Sequence, residues 1–69
     1  MSKRVLIIED NQLNLKLFHD ILTASGFETI AATRGMYGLS LVKRHRPDLV
    51  IIDIQLPDIS GLDVIRLIK

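Results

Sequence analysis

Apolar residues along this chain follow two rhythms. Val5-Leu6-Ile7-Ile8 and Leu49-Val50-Ile51-Ile52 are unbroken apolar runs, rich in β-branched side chains. Runs of this kind describe strands of a parallel sheet, buried on both faces. Each stops at an acid, the first at Glu9-Asp10 and the second at Asp53. After the first run the spacing becomes helical. Leu13, Leu17 and Ile21 form one stripe, with Phe18 and Leu22 beside it. The pattern predicts a helix from about Leu13. Asn11 is its N-cap, with a side chain that accepts a free backbone N–H of the first turn. Gly26 is its left-handed C′ residue, and Phe27 folds back on Leu22.

Glu28–Ala32 predicts a second strand, shorter and more polar, which suits a sheet edge. Thr33-Arg34-Gly35 is a turn. Met36, Leu39, Leu41 and Val42 predict a second helix; Lys43-Arg44-His45-Arg46 is its last turn and Pro47 ends it. Leu49–Ile52 is the third buried strand, and Ile54–Ser60 is a loop containing Pro57. A third helix is predicted from near Gly61, with Ser60 as cap, Asp63 in the capping-box position and Leu62, Ile65 and Ile68 as its apolar stripe. The sequence reaches Lys69 about two turns into this helix. The order β-α-β-α-β-α predicts an α/β fold: a parallel sheet with right-handed crossovers and helices on both faces.

Composition narrows the function classes. Sixty-nine residues, 48% of them hydrophobic, make one small domain or part of one. Nine basic and eight acidic side chains give a net charge of +1, which offers no field for nucleic acid. With no Cys, disulfides and Cys-ligated zinc are excluded, and the cytoplasm is the expected compartment. The basic start Met1-Ser2-Lys3-Arg4 precedes an apolar run that is too short for a secretory signal or for the roughly 20 residues of a membrane span. Lys43-Arg44-His45-Arg46 complements the dipole of its own helix. A single Tyr gives no stacking platform, so neither nucleic acid nor a membrane is expected as a partner.

The acids carry the chemistry. Parallel strands end on one edge, so if strands one and three are neighbours, Glu9, Asp10 and Asp53 converge beyond the carboxyl ends of the sheet. Open α/β sheets bind their ligands in that crevice. A lone acid there would simply begin a turn. Three together repel one another unless a cation intervenes. An all-oxygen donor set favours a hard ion, and Mg2+ is the usual one beside phosphate.

Val5-Leu6-Ile7-Ile8-Glu9-Asp10-Asn11, then Leu49-Val50-Ile51-Ile52-Asp53-Ile54-Gln55-Leu56-Pro57-Asp58 and Ser60-Gly61, resemble the receiver domain of two-component response regulators. The resemblance covers the whole chain. It implies a flavodoxin-like, CheY-like doubly wound sheet, here with strands in the order 2-1-3. It implies that Asp53 is a phosphoacceptor, served by a sensor histidine kinase or a histidine phosphotransfer protein. Glu9 and Asp10 would hold Mg2+, partly through water, with a direct oxygen from Asp53 and the backbone carbonyl of Gln55. Such a module is not an enzyme; it assists its own phosphotransfer. The family has five strands, so residues 1–69 are expected to be the N-terminal portion of a receiver, a single incomplete domain. The family's phosphoryl-binding Thr/Ser and Lys, at the ends of strands four and five, have no counterpart, and transfer is expected to be slow.

Rival readings remain. A fragment that acts only by protein–protein contact is one. Self-association through strand three and helix three is expected, because Leu49–Ile52 would form an apolar edge. A phosphatase with an Asp nucleophile usually carries a second acid two residues later, where this chain has Gln55. A dinucleotide-binding half is weaker still, because no G-x-G-x-x-G follows strand one. His19 and His45 lie far from the strand ends, and His19 is expected at the surface. Leu13, Phe18 and Leu22 are expected in the core, with Leu15 and His19 free to dock a partner.

Overall fold

A computed structural model describes residues 3–69; Met1 and Ser2, the start of the basic stretch, lie outside the described residues. The elements are β1 (Arg4–Ile8), α1 (Gln12–Ala24), β2 (Glu28–Ala32), α2 (Gly35–His45), β3 (Leu49–Ile52) and α3 (Gly61–Ile68). The sheet is parallel throughout, in the order β2-β1-β3. Val5–Ile8 of β1 are fully buried, as a central strand requires. Ile8 pairs with Ala32 on one side and with Ile52 on the other.

Side chains alternate along β1. Leu6 and Ile8 join Ala32, Leu41 and Val64 in a core closed by α2 and α3. Val5 and Ile7 point to the opposite face, which α1 covers. The helix ends follow the sequence pattern. Asn11 accepts from the amide of Asn14 at 3.0 Å. Gly26 has φ 92°, and the Phe27 amide donates to the Leu22 carbonyl at 3.0 Å. Ser60 caps α3 by accepting from the amide of Leu62.

Four expectations need correcting. Leu13, Leu17, Phe18 and Ile21 are exposed, whereas Leu15 and Leu22 turn inward and are half-buried; α1 contains no fully buried residue. Only one side of α1 touches the sheet, and the longer stripe faces away from it. In α3 the anchor is Val64, fully buried, while Leu62, Ile65 and Ile68 stay exposed. β3 is half-buried and not buried, because the strand order leaves it on an edge with Leu49 54% exposed. Asp63 does not close a capping box; its carboxylate stands 3.8 Å from the guanidinium of Arg66.

No helix among the described residues is long and apolar enough to cross a membrane.

Candidate functional site

Strand register builds the acidic site. The Asp53 amide donates to the Ile8 carbonyl at 2.9 Å, and the Glu9 amide donates to the Ala32 carbonyl at 2.9 Å. Glu9 and Asp53 therefore leave the sheet side by side, with Asp10 next in line. One carboxylate oxygen from each of the three lies within 4.8 Å of the others. The three acids are thus close enough to serve one ion between them. Their all-oxygen chemistry suits a hard divalent cation.

The acids differ in setting. Glu9 is 7% exposed, Asp53 is half-buried and Asp10 is exposed. Burial pushes the Glu9 carboxyl above its ordinary value of 4.5. The Asn11 amide, donating to Glu9 Oε1 at 3.1 Å, opposes that shift. The neighbouring Asp53 and Asp10 add to it. The negative charges of Asp53 and Asp10, which add to the effect of burial on Glu9, also favour a bound cation.

Asp53 starts a closed loop. The Gln55 amide donates to Asp53 Oδ1 at 3.2 Å. Gln55 and Ser60 form an antiparallel bridge, and the Gly61 amide donates to the Ile54 carbonyl at 2.8 Å. A Cβ at position 61 would overlap the carbonyl of Asp53, so only glycine lets α3 begin this close to the site. Glu9, Asp10 and Asp53 are thus brought together, and Gln55 joins them through its amide. Neither His reaches them. His19 Nδ1 lies 2.6 Å from the Thr29 hydroxyl beside β2, and His45 ends α2.

Sequence reasoning passed over Asp58. Its carboxylate accepts from the amides of Gly35 and Met36, each at 2.8 Å, and so caps α2 from another loop. Arg34, the residue at the N-cap position, makes no side-chain cap of its own. A helix lacking Ser, Thr, Asp or Asn at its start was the one available signal that a cap comes from elsewhere.

A parallel sheet with helices on both faces and three acids at the carboxyl ends of two adjacent strands makes this an open α/β domain with an acidic crevice at its ligand edge. The chain belongs to the response regulator receiver domain family, whose model matches residues 5–69. It is 54% identical, over its full length, to the polar-differentiation response regulator DivK of Brucella anthropi, and covers 56% of that protein. The chain thus spans about half the length of the curated relatives it matches. A CheY-like receiver domain from Methanospirillum hungatei superposes with a TM-score of 0.95 at 29% identity, over 99% of this chain and 54% of that one. A chain of the co-crystal structure of the Saccharomyces cerevisiae histidine phosphotransfer protein Ypd1 with the receiver domain of Ssk1 gives a TM-score of 0.89 at 27% identity. That match covers 96% of this chain and 46% of the other. Receiver domains are signalling modules of two-component systems and not classical enzymes. They typically bind Mg2+ in an acidic pocket, and the Glu9–Asp10–Asp53 cluster is the matching feature here.

Proposed function

We propose that Asp53 accepts a phosphoryl group from the phosphohistidine of a sensor histidine kinase or a phosphotransfer protein. The convergence of the Glu9, Asp10 and Asp53 oxygens at the sheet edge carries this reading. Likeness to a chain of the Ypd1–Ssk1 complex supports the partner class. A carboxylate oxygen of Asp53 attacks phosphorus in line with the departing imidazole. The P–O bond forms as the P–N bond breaks, and the imidazole nitrogen takes a proton from water. The product is an acyl phosphate.

The residues have separate tasks. The Gln55 amide holds Asp53 Oδ1 and so orients the carboxylate, leaving Oδ2 as the attacking atom. Glu9, Asp10, Asp53 and the Gln55 carbonyl would hold Mg2+, which supplies positive charge against the phosphoryl oxygens. The low exposure of Glu9 keeps that charge poorly screened. The test is mass spectrometry after incubation with acetyl phosphate and Mg2+. A single hydroxylamine-labile adduct at Asp53, absent from Asp53→Asn, is expected. An adduct that persists in Asp53→Asn overturns the assignment.

A second reading, action by self-association through β3 and α3, is favoured by a different observation. Leu49 on the open edge and Leu62, Ile65 and Ile68 on α3 are all exposed.

A further inference from the structure

The loop between β3 and α3 is tied down at both ends. Its base is closed by the Gly61–Ile54 hydrogen bond and the Gln55–Ser60 bridge. Its far side is fastened to another element. Asp58 Oδ1 accepts from the Gly35 amide and Oδ2 from the Met36 amide, both at 2.8 Å and across 23 and 22 residues of sequence. Apolar contacts reinforce the same seam. A Cβ on Gly35 would lie 2.7 Å from Ile59 Cγ1, 2.9 Å from Val64 Cγ2 and 3.2 Å from Leu56 Cδ1. The loop therefore sits directly against the first turn of α2, with no room for a side chain between them.

We infer that Asp58 is a positioning residue for the acidic site: by clamping the loop to α2, it fixes the backbone that presents Asp53 and Gln55 to a divalent cation. The inference rests on the reading of Asp53 and Gln55 as part of the metal and phosphoacceptor site. Seven residues separate the β3 end from the Ser60 cap. Asp53, Ile54 and Gln55 are held at the base, and Asp58 alone ties the far part of the loop by hydrogen bonds. Without the clamp, the span between the base and the α2 seam is held by side-chain packing alone. Its backbone then samples arrangements in which the Gln55 amide no longer orients Asp53. Both clamp bonds are charge-assisted and aimed along the α2 axis, so the helix dipole strengthens them. The two amides also hold the Asp58 carboxyl below the ordinary carboxylate value, the Met36 amide most strongly. Asp58 is therefore ionised, with both oxygens available, wherever the acidic site is itself able to bind a cation.

A cap and a clamp are separable, because α2 can be capped locally. Arg34 has the extended backbone, φ −133° and ψ 148°, that an N-cap residue adopts. Arg34→Ser supplies a local cap without restoring the tie to the loop. The experiment titrates Mg2+ into the full chain and follows the Asp53 and Gln55 amides by NMR. It compares the unsubstituted protein, Asp58→Ala and Asp58→Ala/Arg34→Ser, with thermal midpoint as the second readout. Outer residues that orient metal ligands typically contribute 10–100-fold to affinity. Asp58→Ala should therefore weaken Mg2+ binding by about tenfold. The double variant should recover the thermal midpoint but not the affinity. If Arg34→Ser restores affinity together with stability, Asp58 is only a cap and the inference is overturned. Unchanged affinity in Asp58→Ala overturns it as well. If the unsubstituted chain shows no Mg2+ shifts at Glu9, Asp10 and Asp53, the metal-site reading itself fails and takes this inference with it.

Discussion

The amide of Asn11 donates to Oε1 of Glu9 at 3.1 Å, while the Asn11 side chain accepts from the amide of Asn14 at 3.0 Å. One residue thus starts α1 and steadies the most buried acid of the site. Its donation only partly offsets the cost of burying Glu9 beside Asp53 and Asp10, and the Glu9 carboxyl remains raised above 4.5. A carboxyl raised by folding contributes stability below its ordinary value, and that contribution is lost as pH rises through the raised one. At neutral pH the ionised Glu9 therefore works against the fold. Glu9→Gln keeps an acceptor for Asn11 and should raise the thermal midpoint at neutral pH without Mg2+. The gain should disappear below pH 4.5. A midpoint that falls at neutral pH would refute this account.

Mg2+ should produce the same relief by another route. A ligand at ten times its Kd stabilises the folded state by about 1.4 kcal/mol. Calorimetry of the unsubstituted chain with and without Mg2+ should show an upward shift of that order, while Asp53→Asn should show much less. Equal shifts in both proteins would place the cation elsewhere.

Asp58 has the opposite pH signature. Its carboxyl is held below the ordinary value of 3.8, chiefly by the Met36 amide and also by that of Gly35. A depressed carboxyl contributes stability above its unfolded value, and that contribution is lost as pH falls through the folded one. Asp58→Asn should therefore be less stable than the parent at neutral pH. The two melting curves should converge as the medium is acidified well below pH 3.8. A gap that stays constant with pH would show that the amide–carboxylate bonds are not its source.

The course of the chain in sequence already contained β1, because four successive apolar residues ending in Glu9-Asp10 suit only a covered strand. It contained the site for the same reason: two such runs ending in acids must meet if their strands are neighbours, and the Ile8–Ile52 pairing makes them so. The faces of the helices were not legible. In α1, Leu13, Leu17 and Ile21 repeat as strongly as Leu15 and Leu22 do, and periodicity alone does not say which stripe a sheet will cover. In α3, Val64 was passed over because three larger apolar residues compete with it at similar spacing. The Asp58 clamp joins residues 22 and 23 positions apart through backbone amides, so the sequence names neither partner; its only trace there is the lack of a capping side chain at Arg34.

The end of α2 stores a small strain. Arg46 has φ 46° and ψ 63°, a left-handed conformation that favours glycine, and its amide still donates to the Val42 carbonyl at 2.9 Å. The following Pro47 disfavours continuing the helix and so forces the chain to turn here. An L residue with a Cβ costs about 1–2 kcal/mol in this region, part of which glycine returns through its freer unfolded state. Arg46→Gly should accordingly stabilise the chain by about 0.5–1 kcal/mol in urea denaturation. A loss of stability would mean that the arginine side chain makes contacts that outweigh its backbone strain.

The edge of the sheet supplies the last prediction. β3 lies on an edge, with Leu49 54% exposed and Val50, Ile51 and Ile52 half-buried. Beside it α3 exposes Leu62, Ile65 and Ile68. An unpaired strand with apolar side chains is a template for another strand, because its free backbone groups and its apolar surface are satisfied together. Burying one further Leu or Ile is worth about 1.5–3 kcal/mol, so several such side chains per copy can support association of two chains. Self-association should therefore increase with concentration in analytical ultracentrifugation, and the thermal midpoint should rise with it. Leu49→Lys places a charge on the open edge at a position already exposed, so the folded monomer should tolerate it while the associated form weakens. Ile51→Lys, at a half-buried position, should weaken association and destabilise the monomer as well. A concentration-independent midpoint in a strictly monomeric sample would rule out this use of the edge.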